Sequence, residues 1–303
     1  MPNSPYHPED WGDCYVSPRY LPLPAITGEP ALAPLTVDRW VHGGDDLGNV
    51  YSASEDLTLR VGFIPEGPDT VYWRIAGYRG PFEQPEWMVT FDHDTPVEIV
   101  AGLTSALPAL YAEGPDAYLQ GDGSDLAAMN AATPLAAAGW SHTYATSECV
   151  RFDAPDGLAR AYLRTGRLHH GEEMRGDREH WLVSGGAFGA NRWTGRISSR
   201  TPERLVSALF TAMTDPAPLV RYRSHLSRVQ EHAVITPLTP RAPTPLDVAQ
   251  ASSARAQAAR ARSTTQPASA RRLLGLPPGK SAPSVPAHTA KAVPQEIRWA
   301  TRR

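Results

Sequence analysis

The sequence predicts an α+β protein of two tandem repeats, each an antiparallel β-sheet with one C-terminal helix packed on it, followed by a disordered tail. Three observations lead there. Tryptophans recur in register: at an offset of 100, Pro34, Leu35, Trp40, Val50, Asp56 and Arg60 fall on Pro134, Leu135, Trp140, Val150, Asp156 and Arg160. The offset widens to 108 for Trp73 and Trp181 and settles at 106 for Trp87 and Trp193. Between these landmarks apolar residues alternate with period two, and each copy closes on a Thr-Pro pair suited to starting a helix.

The elements follow in order. Residues 1–35 form a lead-in, 36–113 the first repeat, 114–133 a surface linker, 134–220 the second repeat and 221–303 a basic tail. In the first copy Asp56 to Phe63 reads as a strand, with Leu57, Leu59, Val61 and Phe63 on one side and Thr58, Arg60 and Gly62 on the other. Its counterpart is Gly157 to Leu163, entered by an Ala-Pro-Asp-Gly turn. Each pairs as a hairpin with a strand around Val50 or Val150. Thr70 to Tyr78 is the next strand, Trp73 and Ile75 alternating against Tyr72 and Arg74, and His180 to Ser184 answers it. Trp87 to Phe91 and Trp193 to Ile197 complete the sheets. Thr95 is expected to be the N-cap of the helix that follows, with Pro96 in its first position and Glu98 closing a capping box; Thr201-Pro202 repeats the start, with Arg204 in the Glu98 place. Ile99, Leu103, Ala106, Leu107 and Leu205, Leu209, Ala212, Met213 form the apolar stripes that the helices bury. Whether the two sheets join edge to edge or meet through their helices is open at this level.

Composition bounds the function. With 41% hydrophobic residues the chain has material for a sizeable core, while 30 prolines, about twice the ordinary share, point to long loops. Residues 1–220 hold 15 Arg/Lys against 29 Asp/Glu, a balance of −14, whereas residues 221–303 hold 14 against 3, a balance of +11. An acidic body therefore carries a basic tail. Two cysteines far apart, no apolar run long enough to span a membrane and no secretory start read as a cytoplasmic protein. Leu219, Tyr222, Leu226 and Val229 approximate helical spacing, after which Pro237, Pro240, Pro243 and Pro245 break regular structure and the Ala/Ser/Pro/Arg-rich remainder lacks the apolar surface to fold.

Both copies resemble the SPDY domain, a family of unknown function from filamentous actinobacteria that typically occurs in tandem. The resemblance rests on Ser54-Glu55-Asp56 before Leu59-Arg60-Val61-Gly62-Phe63 and on Ala154-Pro155-Asp156-Gly157, both degenerate forms of the family's turn. It rests further on Trp73-Arg74-Ile75, Trp87-Met88-Val89-Thr90-Phe91 and Thr95-Pro96-Val97-Glu98-Ile99-Val100, and on the lead-in Val16-Ser17-Pro18-Arg19-Tyr20-Leu21. It covers about residues 15 to 215 and implies a tandem intracellular module with no established activity.

The tryptophans sit among the apolar neighbours of period-two strands and read as core rather than as a base-stacking platform. His169, His170 and His180, with Glu172, Glu173, Asp177 and Glu179, match no metal-ligand spacing; the stretch Gly166 to Glu179 is the insertion that widens the repeat offset and reads as a solvated hairpin loop. Cys149 reads as an inert strand thiol, and Gly43-Gly44 and Gly185-Gly186 lack a phosphate-loop pattern. No catalytic, cofactor or metal residues are assigned. The residues expected to bind are the tail arginines Arg255, Arg260, Arg262, Arg271, Arg272, Arg298, Arg302 and Arg303, whose forks suit phosphate or carboxylate. The expected function is a non-enzymatic interaction module for a protein or acidic partner. The alternative is a nucleic-acid accessory protein that uses the arginine tail.

Overall fold

The computed structural model describes residues 12–23, 27–65, 71–187, 192–238 and 250. It is a mixed α/β structure dominated by antiparallel sheets with several helices. Strand β1 (Asp13–Ser17) and helix α1 (Glu29–Leu32) precede five strands: β2 (Trp40–Gly44), β3 (Val50–Ser54), β4 (Leu59–Phe63), β5 (Val71–Tyr78) and β6 (Pro85–Asp92). Five helices follow, α2 (Val97–Thr104), α3 (Leu107–Glu113), α4 (Pro115–Tyr118), α5 (Asp125–Ala131) and α6 (Thr133–Ala137). The chain then forms β7 (Ser141–Thr146), β8 (Cys149–Asp153), β9 (Ala159–Arg164), α7 (His170–Arg175), β10 (Trp181–Gly185), β11 (Trp193–Ile197), α8 (Glu203–Thr214), β12 (Leu219–Tyr222) and β13 (Val234–Pro237).

Ten strands make one antiparallel sheet in the order β2-β3-β4-β5-β6-β11-β10-β9-β8-β7. Two five-strand meanders thus meet edge to edge, with Phe91 opposite Gly195, Thr90 opposite Arg196 and Val89 opposite Ile197. Alternation decides the layering. Leu59, Val61, Phe63, Trp73, Ile75, Trp87, Val89 and Phe91 share one core with Ala161, Leu163, Trp181, Val183, Trp193 and the apolar stripes of α2 and α8. The intervening strand residues face away from the helices, on the other side of the sheet. Trp73, Trp87 and Trp193 are fully buried and Trp181 nearly so, with Trp40 and Trp140 only slightly exposed, so these six tryptophans are core.

Two glycines make room for the indoles. Gly77 lies opposite Trp87 and Gly185 opposite Trp193, and a Cβ at either position would collide with the facing indole. Each indole nitrogen then donates outward, Trp87 Nε1 to the Tyr118 carbonyl at 2.7 Å and Trp193 Nε1 to the Tyr20 carbonyl at 2.8 Å. The acceptors come from different places: residue 118 follows the first meander, whereas residue 20 precedes it. The same exchange recurs at the rim of each half. Tyr111 stacks edge-on against Trp40 and hydrogen-bonds Asp56; Tyr20 stacks edge-on against Trp140 and donates to Asp156 at 2.6 Å. The second meander is therefore closed by the start of the chain.

That start is held in a second sheet, three strands in the order β12-β1-β13. Val16 lies opposite Leu219 on one side and Ile235 on the other, over a small core of Cys14, Val16, Leu21, Leu23, Leu226 and Val229.

Several expectations are corrected. One closing helix in the first copy becomes two: α2 stops at Thr104 and the chain restarts at α3, where Pro108 in the first turn has no amide hydrogen to continue a helical ladder. The 114–133 linker is not only a surface connection, since α4 and α5 bury Tyr118, Ala128 and Ala131. Thr95 is not the N-cap. Pro96 holds that position without a side-chain cap, because the Thr95 hydroxyl donates to Asp92 Oδ1 at 3.1 Å, and Glu98 takes both arms of Arg221 instead of closing a box. Pro202 likewise caps α8. The helical spacing of Leu219, Tyr222, Leu226 and Val229 does not yield an α-helix: the segment is a strand, Leu219–Tyr222, followed by a 3-10 turn, Arg223–Leu226. The Gly166 to Glu179 insertion is not a solvated loop but contains α7, which buries Glu173.

Candidate binding site at the strand seam

Residues facing away from the helices line up across the sheet. The register places Gly43, Tyr51, Gly62, Arg74, Thr90, Arg196, Leu182, Tyr162, Arg151 and Thr143 in one continuous row, one residue from each of the ten strands. At its centre, on either side of the seam, stand Arg74, Thr90 and Arg196. Strand spacing sets the two arginine Cα atoms about 10 Å apart on one face.

Helix α7 is the wall beside this centre. Its Glu173 is buried and accepts from the Ser199 amide at 2.6 Å and the Ser199 hydroxyl at 2.7 Å, while the Gly176 carbonyl accepts from Arg196 Nη1 at 2.5 Å. Between wall and sheet lies a half-enclosed cavity of about 490 Å³, lined by Arg74, Thr90, Asp92, Thr194 and Arg196 from the sheet and by the end of α7.

The charged groups of this cavity are unevenly engaged. Asp92 accepts from the Thr194 amide at 2.6 Å, the Thr194 hydroxyl at 2.9 Å and Thr95. Burial pushes the Asp92 carboxyl above its ordinary range, and those donors pull it back. Arg175 turns to Asp177 at 2.8 Å and Arg178 to Glu172 at 3.5 Å. Arg74 is exposed, and among the described residues nothing pairs with it. Farther out, Arg151 and Arg160 share Asp153, and Arg60 lies over the Tyr78 ring.

The residues singled out from sequence fall elsewhere. All eight tail arginines, Arg255, Arg260, Arg262, Arg271, Arg272, Arg298, Arg302 and Arg303, lie outside the described residues. His169 and His170 begin α7, and His180 is buried behind β10, where desolvation lowers it to about 4. Among the described residues no group of three or more His, Cys, Asp or Glu is placed to hold a metal ion, and no helix is long and apolar enough to cross a membrane. Cys149 is half-buried, and both cysteines are free thiols. Sequence reading passed over Arg74, Thr90 and Arg196 because they are far apart along the chain. Their polar places in otherwise apolar alternating strands were the available signal.

Fold and site together define an α/β protein in which α2 and α8 pack on one face of a fused sheet, while the other face carries a polar cavity walled by α7. The family model SPDY, Domain of unknown function (DUF317), matches residues 53–111 and 153–219, from β3 to α3 and from β8 to β12. Two segments of the chain thus match the SPDY domain in tandem. No curated protein and no solved structure matches it.

Proposed function

We propose that the chain is a non-enzymatic, cytoplasmic interaction module that docks an acidic partner on the face of the ten-stranded sheet turned away from α2 and α8. In this reading the two meanders are copies of one α+β repeat closed by α2 and α8, and duplication has doubled the width of the docking face. The observation that carries the proposal is the pair of open wings of the cross-strand row on either side of the walled centre, with Tyr162 beside Arg151 on one and Tyr51 on the other. Arginine forks and tyrosine rings are the side chains that interfaces favour. The carboxylates of the seam support a binding role as well, since Asp92 and Glu173 are committed to donors of the fold rather than set against a nucleophile.

Retention of full-length protein on immobilised poly-L-glutamate tests the proposal. Wild type should be retained and released by salt, and Arg151→Ala combined with Tyr162→Ala should pass through; equal retention of both would remove the reading. A second reading, nucleic-acid association through the arginine tail, is favoured by the balance of +11 in residues 221–303. Gel shifts at two salt concentrations decide it, with steep weakening expected at the higher one.

A further inference from the structure

The seam cavity differs from the rest of the open face in being walled. Helix α7 stands over β6 and β11, so a broad macromolecular surface does not reach the cavity floor, while about 490 Å³ suits a compact ligand. The floor is the Arg74-Thr90-Arg196 row. Among the described residues Arg74 has no carboxylate partner, and Arg196 has one nitrogen on the Gly176 carbonyl and its remaining donors available. The acids that line the cavity are engaged elsewhere: Asp92 by Thr194 and Thr95, Glu173 by Ser199, and Glu179 by Arg164 at 3.8 Å. Two planar forks and a hydroxyl on one face, beside carboxylates already satisfied, match a tetrahedral dianion better than a neutral or cationic group.

We propose that the seam cavity is a binding site for a small phosphomonoester, with the phosphate held between Arg74 and Arg196, the Thr90 hydroxyl donating to it, and the organic part resting against α7. The site is separate from the docking surface of the preceding subsection, because its ligand is small and its residues lie under the wall rather than on the open wings.

Isothermal titration of the full chain with inorganic phosphate, ribose 5-phosphate and ribose, each in chloride buffer, tests the proposal. Ribose 5-phosphate should bind saturably at one site per chain, more tightly than inorganic phosphate, and ribose should give no heat. Arg74→Met should weaken ribose 5-phosphate about tenfold or more, the scale of one lost charged hydrogen-bonded pair. Arg60→Met, on the same face but outside the cavity, should bind as wild type does. Absence of saturable binding, binding of inorganic phosphate alone, or an unchanged affinity in Arg74→Met would overturn the assignment. As an independent readout, ribose 5-phosphate should raise the melting temperature of wild type and not that of Thr90→Val; no shift in wild type counts against the site. Arg151→Ala with Tyr162→Ala should leave phosphate binding intact, so failure of the docking reading and failure of the phosphate site give different results.

Discussion

Gly77 and Gly185 occupy equivalent places beneath indole rings, and the close approach of Trp87 and Trp193 leaves no room for a methyl group. At position 185 the Tyr20 carbonyl crowds the same space. Gly77→Ala and Gly185→Ala are each expected to destabilise the protein by about 1–3 kcal/mol through overpacking, read as a lower urea midpoint. His180 gives a pH dependence. Burial lowers it from 6.5 to about 4, with Asp125 pulling the other way. Between those values the unfolded chain takes up a proton that the folded chain refuses. The stability tied to neutral His180 is therefore complete above about pH 6.5 and is lost as pH falls toward 4, on the order of 3 kcal/mol in all. Urea midpoints of wild type and His180→Leu across pH 4.5 to 7.5 measure this. Wild type should lose stability with acid more steeply than the variant, and parallel curves would refute the assignment.

Among the elements, β1 and the residues after it have the widest reach. They supply Tyr20 to Trp140, Asp156 and Trp193, all in the second meander. Tyr20→Phe removes the bond to Asp156 and should cost about 1 kcal/mol in urea denaturation, while deletion of residues 1–23 should cost several times that by also stripping the Trp193 acceptor and the partner of β12 and β13. Strand positions were legible in sequence because alternation is local: Leu59, Val61 and Phe63, or Trp73 and Ile75, announce their face within a few residues. Helix starts were not. Thr95 carries every mark of a cap, yet Asp92, three residues earlier, takes its hydroxyl, a competition between two local hydrogen bonds that residue type alone does not decide. Helix α7 escaped notice because its six residues are too few to show a period.

For the whole molecule, the seam decides the thermodynamics. The β6–β11 ladder joins the meanders, Gly102 of α2 and Ala212 of α8 meet where those helices cross, and Glu86 is shared by Arg79 and Arg200 from opposite halves. Calorimetry should therefore record one cooperative transition for both meanders rather than two, and a pair of separable transitions would contradict a fused core. The pairing of the two sheets was not readable in advance, because an edge-to-edge join depends on which strands are left without a neighbour, a property of the assembled topology. The cavity shares that origin: Arg74, Thr90 and Arg196 become neighbours only through the register of three strands.

The position of β1 between β12 and β13 also orders events in time. Val16 is made some 200 residues before its partners Leu219 and Ile235. At about 5–20 residues per second, the strand waits roughly 10–40 s for either neighbour to leave the ribosome. Through that interval the first meander has its own α3 and α4 to close over Trp40 and Trp87, so it is expected to close without waiting for β12 and β13. The second meander is completed by a segment made well before it.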